Sequence, residues 1–387
     1  MVSKTKCCGC SACAQLCPQK CIIMREDKLG FLYPEINENE CVNCGLCEKT
    51  CPVLHKPQKE QLPKKCWGGY AKSKKIRKES SSGGIFTLFA ESIINNGGVV
   101  FGARLSTDRT AVFHDMVESV DELYLFRGSK YVQSNLNNCY TKVKEQLLLG
   151  RKVLFSGTPC QIDGLRFFLN NKFYPNLLTV EVICHGTPSP KLYKKYIYYI
   201  EKKLNGTINT VNFRDENGGN ISIMNIEAHN GKEYRKKSTE DPYYRIFLND
   251  TALRESCYQC PSKGLYYRAD VTLSDFWGVD NIYPELNDGN GVSLVLLHTD
   301  KAVESFGAIV DLCIGHEVDF DKAITGNSAF FNSYPRNELR DNFEEDFDKL
   351  SIEKLTKKYG LKKENKTIKA ATHTLYKIYY SITKNKR

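Results

Sequence analysis

Ten cysteines between residues 7 and 51, eight of them laid out as two copies of one spacing, constrain this chain more than any other feature. The first run is Cys7-x2-Cys10-x2-Cys13-x3-Cys17-Pro18, and the second is Cys41-x2-Cys44-x2-Cys47-x3-Cys51-Pro52. This is the bacterial two-cluster ferredoxin run, in which the fourth cysteine ligates the other [4Fe–4S] cluster. The pattern therefore assigns Cys7, Cys10, Cys13 and Cys51 to one cluster and Cys41, Cys44, Cys47 and Cys17 to the other. Two-residue spacers let the backbone wrap a cubane, the proline ends the wrap, and Gly9 and Gly45 let the chain come close. Zinc also takes CxxC pairs, but it does not need three spaced cysteines followed by Cys-Pro, still less twice. Cys8 and Cys21 fall outside the register and read as bystanders. GFLYPEI (30–36) reads as a short hairpin strand packed over the clusters.

Seventeen cysteines could also signal a secreted disulfide framework. The chain instead runs straight from its first residues into ligand-spaced cysteines without an apolar export segment, so reduced thiols in a cytoplasmic setting are expected. No stretch of about 18 apolar residues is present to span a bilayer. The formal net charge is +10. Residues 351–387 carry eleven basic against two acidic side chains, which leaves the other 350 residues nearly neutral. A basic nucleic-acid-binding body is thus excluded. In the tail, Ile368, Ala371, Leu375, Ile378, Tyr379 and Ile382 recur at close to helical period among lysines. The first reading is a terminal helix docked on its own domain with a solvated basic face. The second is a peripheral contact with an anionic membrane surface.

Length and pattern divide the chain into a cluster module (1–55), a Lys/Pro/Gln linker (56–66), a main domain (67–340) and the basic tail (341–387). Past Trp67, strand-like and helix-like segments alternate. Helices are expected at 85–95, 138–149, 161–169 and 190–204, and strands at 99–105, 110–118, 152–156, 177–183, 208–213, 221–228, 270–274 and 292–298. The fold class is α/β with a mixed sheet, because antiparallel pieces enter in the second half. The N-terminal module is a small α+β ferredoxin.

Four further cysteines carry chemistry. Cys160 follows a strand in SGTPCQ, Cys184 ends another in EVICHG, and Cys257 and Cys260 form a CxxC before Pro261. Ends of neighbouring strands are where an α/β sheet gathers ligands, so one metal could collect all four. Spacing leaves three rivals open: core packing, a zinc knuckle at Cys257/Cys260, and a low-pKa nucleophile at Cys160. Cys66, Cys139 and Cys313 read as structural. Ser81, Ser82, Gly83 and Gly84 precede a helix and could hold an anion, although such a segment is more often a plain helix start. Gly128, Ser129, Lys130 and Tyr131 could add a cation and donors.

The blocks SSSGGIFTLFA (80–90), GGVVFGA (97–103), RGSKYVQS (127–134), LFSGTPCQIDGL (154–165), EVICHGTPSPKLY (181–193) and CYQCPSKG…ADVTLSDFWG (257–278) resemble the coenzyme F420 hydrogenase/dehydrogenase beta-subunit family. The resemblance runs from about residue 67 to about residue 298. It implies a flavin-binding α/β domain, FAD contacted by Ser81–Gly84 and Gly128–Tyr131, and a third [4Fe–4S] cluster on Cys160, Cys184, Cys257 and Cys260. It makes His185 a candidate for the flavin face, with a structural histidine as the alternative. The implied function is an iron–sulfur flavoprotein oxidoreductase passing electrons between FAD, clusters and a small substrate or redox partner protein. Some bacterial members of the family sit among surface-polysaccharide genes, which makes glycan biosynthesis the expected setting. The competing classes are an electron-transfer adaptor without flavin chemistry and an iron–sulfur redox sensor.

Overall fold

The computed structural model describes residues 2–55, 61–215, 222–266 and 268–361. The lysine-rich helix expected over 368–382 lies outside the described residues, as do residues 56–60 of the expected linker.

The two cysteine runs take the same backbone course. Gly9 and Asn43 (φ 70° and 52°) sit one residue before the second cysteine of each run, and Ser11 and Gly45 (φ 60° and 70°) one residue after it. Left-handed residues at these matched positions curl successive amides inward, the arrangement that cradles anionic groups. A hairpin of β1 (Ile22–Glu26) and β2 (Leu32–Ile36) joins the two runs. Met24 and Pro34 of its two strands line the cavity of Cys7, Cys10, Cys13 and Cys51, on the side where the hairpin was expected to cover the clusters, whereas its turn packs elsewhere. Leu29 and Phe31 are fully buried in an aromatic core of the main domain, with Leu192, Tyr193 and Tyr243. Each such side chain contributes about 2 kcal/mol of burial, so the module is packed into the domain rather than tethered beside it.

The remaining strands are β3 (Lys65–Ala71), β4 (Val99–Leu105), β5 (Val112–Val117), β6 (Val153–Gly157), β7 (Leu177–Val182), β8 (Ile208–Asn212), β9 (Ile223–Ala228), β10 (Glu233–Lys237), β11 (Val271–Asp275), β12 (Ser293–Leu297) and β13 (Cys313–Glu317). Eight of them form one mixed sheet in the order β13-β3-β12-β11-β7-β6-β4-β5. Its centre, β4-β6-β7-β11, is parallel, and antiparallel pairs flank it on both sides. The central strands are apolar on both faces, as a parallel block covered on both sides requires. Val100, Leu154 and Leu178 face one core with helix Ile85–Asn95, while Val99, Phe101, Val153 and Phe155 face another with Ile162 and Leu165. Cys8, Cys10 and Ala12 of the module complete that second core.

A second lobe packs helix Pro190–Leu204 against the three-stranded sheet β10-β9-β8 and helix Pro242–Leu248. Two helices assigned with the tail by composition, Arg340–Asp346 and Ile352–Tyr359, bury Phe343, Ile352, Leu355 and Tyr359 in the same lobe. The basic residues of 351–361 thus ride on a packed helix.

Candidate functional site

Strand topology sets the site. The carboxyl ends of β6, β7 and β11 lie side by side, and the loops leaving them carry the chemistry. After β6, Thr158 turns the chain into helix Pro159–Phe168, with Pro159 at its first position and the Gln161 side-chain oxygen accepting from Thr158 N at 3.0 Å. That puts Cys160 in the helix's first turn. Cys184 leaves β7, and Cys257 and Cys260 flank the end of the turn Glu255–Gln259. All four cysteines line one cavity, together with Glu181, Lys263 and Arg268. Sulfur already has donors there: Thr187 N lies 3.5 Å from Cys257 Sγ, and Thr158 Oγ1 lies 3.3 Å from Cys160 Sγ. Among the described residues, no group of three or more His, Cys, Asp or Glu is close enough to hold a single metal ion.

Burial raises the thiol pKa values of Cys184 and Cys257 and pushes that of Cys260 up to about 12. Cys160 is raised by its hydrogen bond with Cys8 and then by burial. A nucleophilic cysteine needs the opposite shift, so the reading of Cys160 as a low-pKa nucleophile loses its footing. Buried thiols of this kind become thiolates when a metal compensates their charge.

A larger cavity of about 480 Å³ adjoins the first, and Ile183, Cys184, His185, Gly186 and Thr187 line both. Its far wall unites the two glycine-rich segments: Ser129 N donates to Ser81 Oγ at 2.7 Å. Gly84 (φ 83°) caps helix Ile85–Asn95, whose first residues Ile85, Phe86 and Thr87 line the same wall. Gly83 N is already taken by Ser293 Oγ at 2.9 Å. Lys130 does not reach outward. Its ammonium donates to the carbonyls of Phe126, Arg127 and Gly128, and burial lowers its pKa to about 7. Tyr131 packs edge-on against Phe213 and Tyr244. His185 Nε2 meets Asp250 Oδ1 at 2.6 Å, and its ring stacks on Tyr334 with centroids 3.8 Å apart. The histidine is therefore held from two sides at the rim shared by both cavities.

In the module, Cys7, Cys10, Cys13 and Cys51 line a third cavity, together with Cys8 and with Cys47 of the other expected set. Cys44, in contrast, is exposed. The two bystanders are better placed than spacing suggested. Cys8 is buried against Cys10 and Cys160, and Cys21 Sγ lies 3.4 Å from Cys17 Sγ. Cys66, Cys139 and Cys313 are buried among apolar side chains.

Motif reading passed over the residues that join module to domain. Arg254, 1 % exposed, donates to Cys7 O at 2.7 Å, Gln133 Oε1 at 3.0 Å and Leu32 O at 2.9 Å. Gln133 Nε2 donates to Cys8 O at 3.1 Å, and Tyr140 N donates to Gln15 Oε1 at 2.9 Å. Gln133 lay inside the block RGSKYVQS, whereas Arg254 stands in no motif. Its one signal was a position three residues ahead of the CxxC.

Residues 150–314 match the family model for the C-terminal part of the coenzyme F420 hydrogenase/dehydrogenase beta subunit, and residues 6–54 match a 4Fe-4S dicluster domain. A coenzyme F420-dependent sulfite reductase of Methanocaldococcus jannaschii is 27 % identical over 173 residues, which is 43 % of this chain and 26 % of that protein. A ferredoxin of Mycolicibacterium smegmatis is 37 % identical over 62 residues, 16 % of this chain and 53 % of the ferredoxin. The chain thus spans about a quarter of the first of these relatives and about half of the second. A chain from the F420-reducing [NiFe] hydrogenase complex of Methanosarcina barkeri aligns with a TM-score of 0.47 at 16 % identity, covering 80 % of this chain and 99 % of that one. Over residues 150–314 the chain is thus similar to the C-terminal part of the coenzyme F420 hydrogenase/dehydrogenase beta subunit, and over residues 6–54 to 4Fe-4S dicluster domains.

Proposed function

We propose that the chain is an iron–sulfur flavoprotein oxidoreductase that exchanges electrons between a small substrate at the 480 Å³ cavity and a redox partner protein at the module. The observation that supports it best is the shared wall, residues 183–187, between that cavity and the four-cysteine cavity. In this reading Cys160, Cys184, Cys257 and Cys260 hold a third [4Fe–4S] cluster. Cys7, Cys10, Cys13 and Cys51 hold the inner cluster of the module, and Cys17, Cys41, Cys44 and Cys47 the outer one. When bound, a flavin exchanges electron pairs with organic substrates, and a cluster passes single electrons.

The rest falls to the protein. Gly84 and the amides opening helix Ile85–Asn95 face an anion such as a cofactor diphosphate, with Ser81 and Ser129 closing the loop around it. The cavity volume lies in the range of small-molecule and cofactor sites. His185, fixed by Asp250 and Tyr334, orients whatever sits at the shared rim rather than moving freely. The sites run in sequence from cavity to four-cysteine site to inner module site to exposed Cys44, through the contact of Cys8 with Cys160 and Cys10. A surface-polysaccharide setting rests on the family resemblance alone.

Anaerobic purification followed by iron and flavin analysis tests the reading. About 12 irons and one flavin per chain are expected. About eight irons without flavin would leave an electron-transfer adaptor instead.

A further inference from the structure

Two buried groups of opposite charge share the four-cysteine cavity, each with polar atoms that make no hydrogen bond among the described residues. Arg268 is 3 % exposed, yet its Nε and one terminal nitrogen make no hydrogen bond among the described residues. Glu181, also 3 % exposed, accepts from Thr272 Oγ1 at 2.8 Å through Oε1, while Oε2 accepts from nothing described. Asp163 Oδ2, which accepts from Ser262 Oγ at 2.7 Å, pairs with the Arg268 charge at 3.4 Å from Nε and leaves the terminal nitrogen without an acceptor among the described residues. Lys263 on the same wall shows the contrast, since its ammonium is satisfied by the carbonyls of Cys184 and Ala329.

A guanidinium cannot shed its charge, and leaving its N–H groups unmade in the interior costs several kcal/mol. Arg268 lines the cysteine cavity and not the larger one, so a ligand of the larger cavity does not answer it. As acceptors the wall offers Glu181 Oε2 and the sulfur atoms that the four cysteines gather.

Resting on the three-cluster reading above, we propose that Arg268 donates to the sulfur atoms of the cluster held by Cys160, Cys184, Cys257 and Cys260. It thereby raises the reduction potential of that centre. Hydrogen bonds to sulfur and a fixed positive charge both favour the more negative, reduced form. The residue is a positioning and tuning group that touches no substrate.

The test is a redox titration followed by electron paramagnetic resonance on the anaerobically reconstituted full chain, wild type against Arg268→Gln and Arg268→Lys. At a full complement of about 12 irons, Arg268→Gln is expected to lower one of the three midpoint potentials and leave the other two in place. Arg268→Lys, which keeps the charge but loses the fork, is expected to recover part of the shift. Three unchanged midpoints at full iron content overturn the proposal, because a merely structural arginine would change stability or iron content without moving one potential. If Arg268→Gln loses iron, Arg268→Lys carries the same comparison. A wild-type chain with only about eight irons overturns the third-cluster reading itself, a failure the iron count reports before any titration.

Discussion

Arg254 donates on three sides, to Cys7 O, Leu32 O and Gln133 Oε1, and its guanidinium lies under Gly9, where a Cβ would come within 2.7 Å of Nη1. One side chain from the main domain thus holds the first turn of the first cysteine run. Arg254→Lys keeps the charge but has one donor centre for three acceptors. It is expected to cost about 3 kcal/mol in chemical denaturation and to lower iron retention in the module. His114 makes a pH prediction. Its Nε2 bonds Ser156 O at 3.0 Å and its Nδ1 bonds Ser134 Oγ at 2.9 Å, while burial pushes its pKa down to about 4. His298 is likewise pushed down to about 4 by burial. The unfolded chain takes up a proton at each histidine near pH 6.5, whereas the folded chain resists until about pH 4. The stability each contributes is therefore full above pH 6.5 and drains as pH falls toward 4, by about 3 kcal/mol per histidine. Denaturation midpoints at pH 7.5 and pH 5 should show a shallower acid loss for His114→Gln than for wild type. None of this was visible beforehand, because a buried histidine and a lone arginine leave no spacing to read.

At the scale of elements, helix Pro159–Phe168 does two jobs: its first turn presents Cys160, and its middle receives the module. Gly164 makes the second possible, since a Cβ there would lie 2.7 Å from Cys10 Cβ and from Tyr140 Oη. Gly164→Ala is expected to destabilise by about 1–3 kcal/mol and to loosen the inner cysteine site. Gly307→Ala, which meets nothing within 4 Å, serves as the neutral control. Thermal unfolding and iron content measure both. The long periodic elements were legible in sequence: helices Ile85–Asn95 and Pro190–Leu204 occupy the expected residues. β3 and β13 were not. Gly69 and Gly315 face each other across that pair so closely that a Cβ on either would reach 2.2 or 2.1 Å from a carbonyl oxygen. The glycines that permit this approach are the residues that weaken a strand signal. The meeting of Cys160 and Cys184 was legible only as a possibility, because strand order, not spacing, sets β6 beside β7.

For the whole molecule, shared cores matter more than the boundaries composition suggested. Leu29 and Phe31 sit in the second lobe, Cys8 and Cys10 under the main sheet, and Phe343 to Tyr359 close the aromatic core from the far end of the described chain. Module and domain should therefore unfold as one cooperative unit. Calorimetry after anaerobic iron chelation is expected to show a single transition moved to lower temperature, because binding that favours the folded chain is lost. Two separate transitions would count against the shared core. No helix among the described residues is long and apolar enough to cross a membrane. The exposure of Cys44, against the burial of the cysteines further in, also decides how the protein ages. Oxidants arrive from solvent, so damage proceeds from the rim inward. A preparation left in air is expected to lose its outer four irons first, and with them its conversation with a protein partner. Under the proposed function, turnover with small dyes that reach the cavity should outlast that loss, so a worn sample would pass for a working enzyme that has merely lost its correspondent.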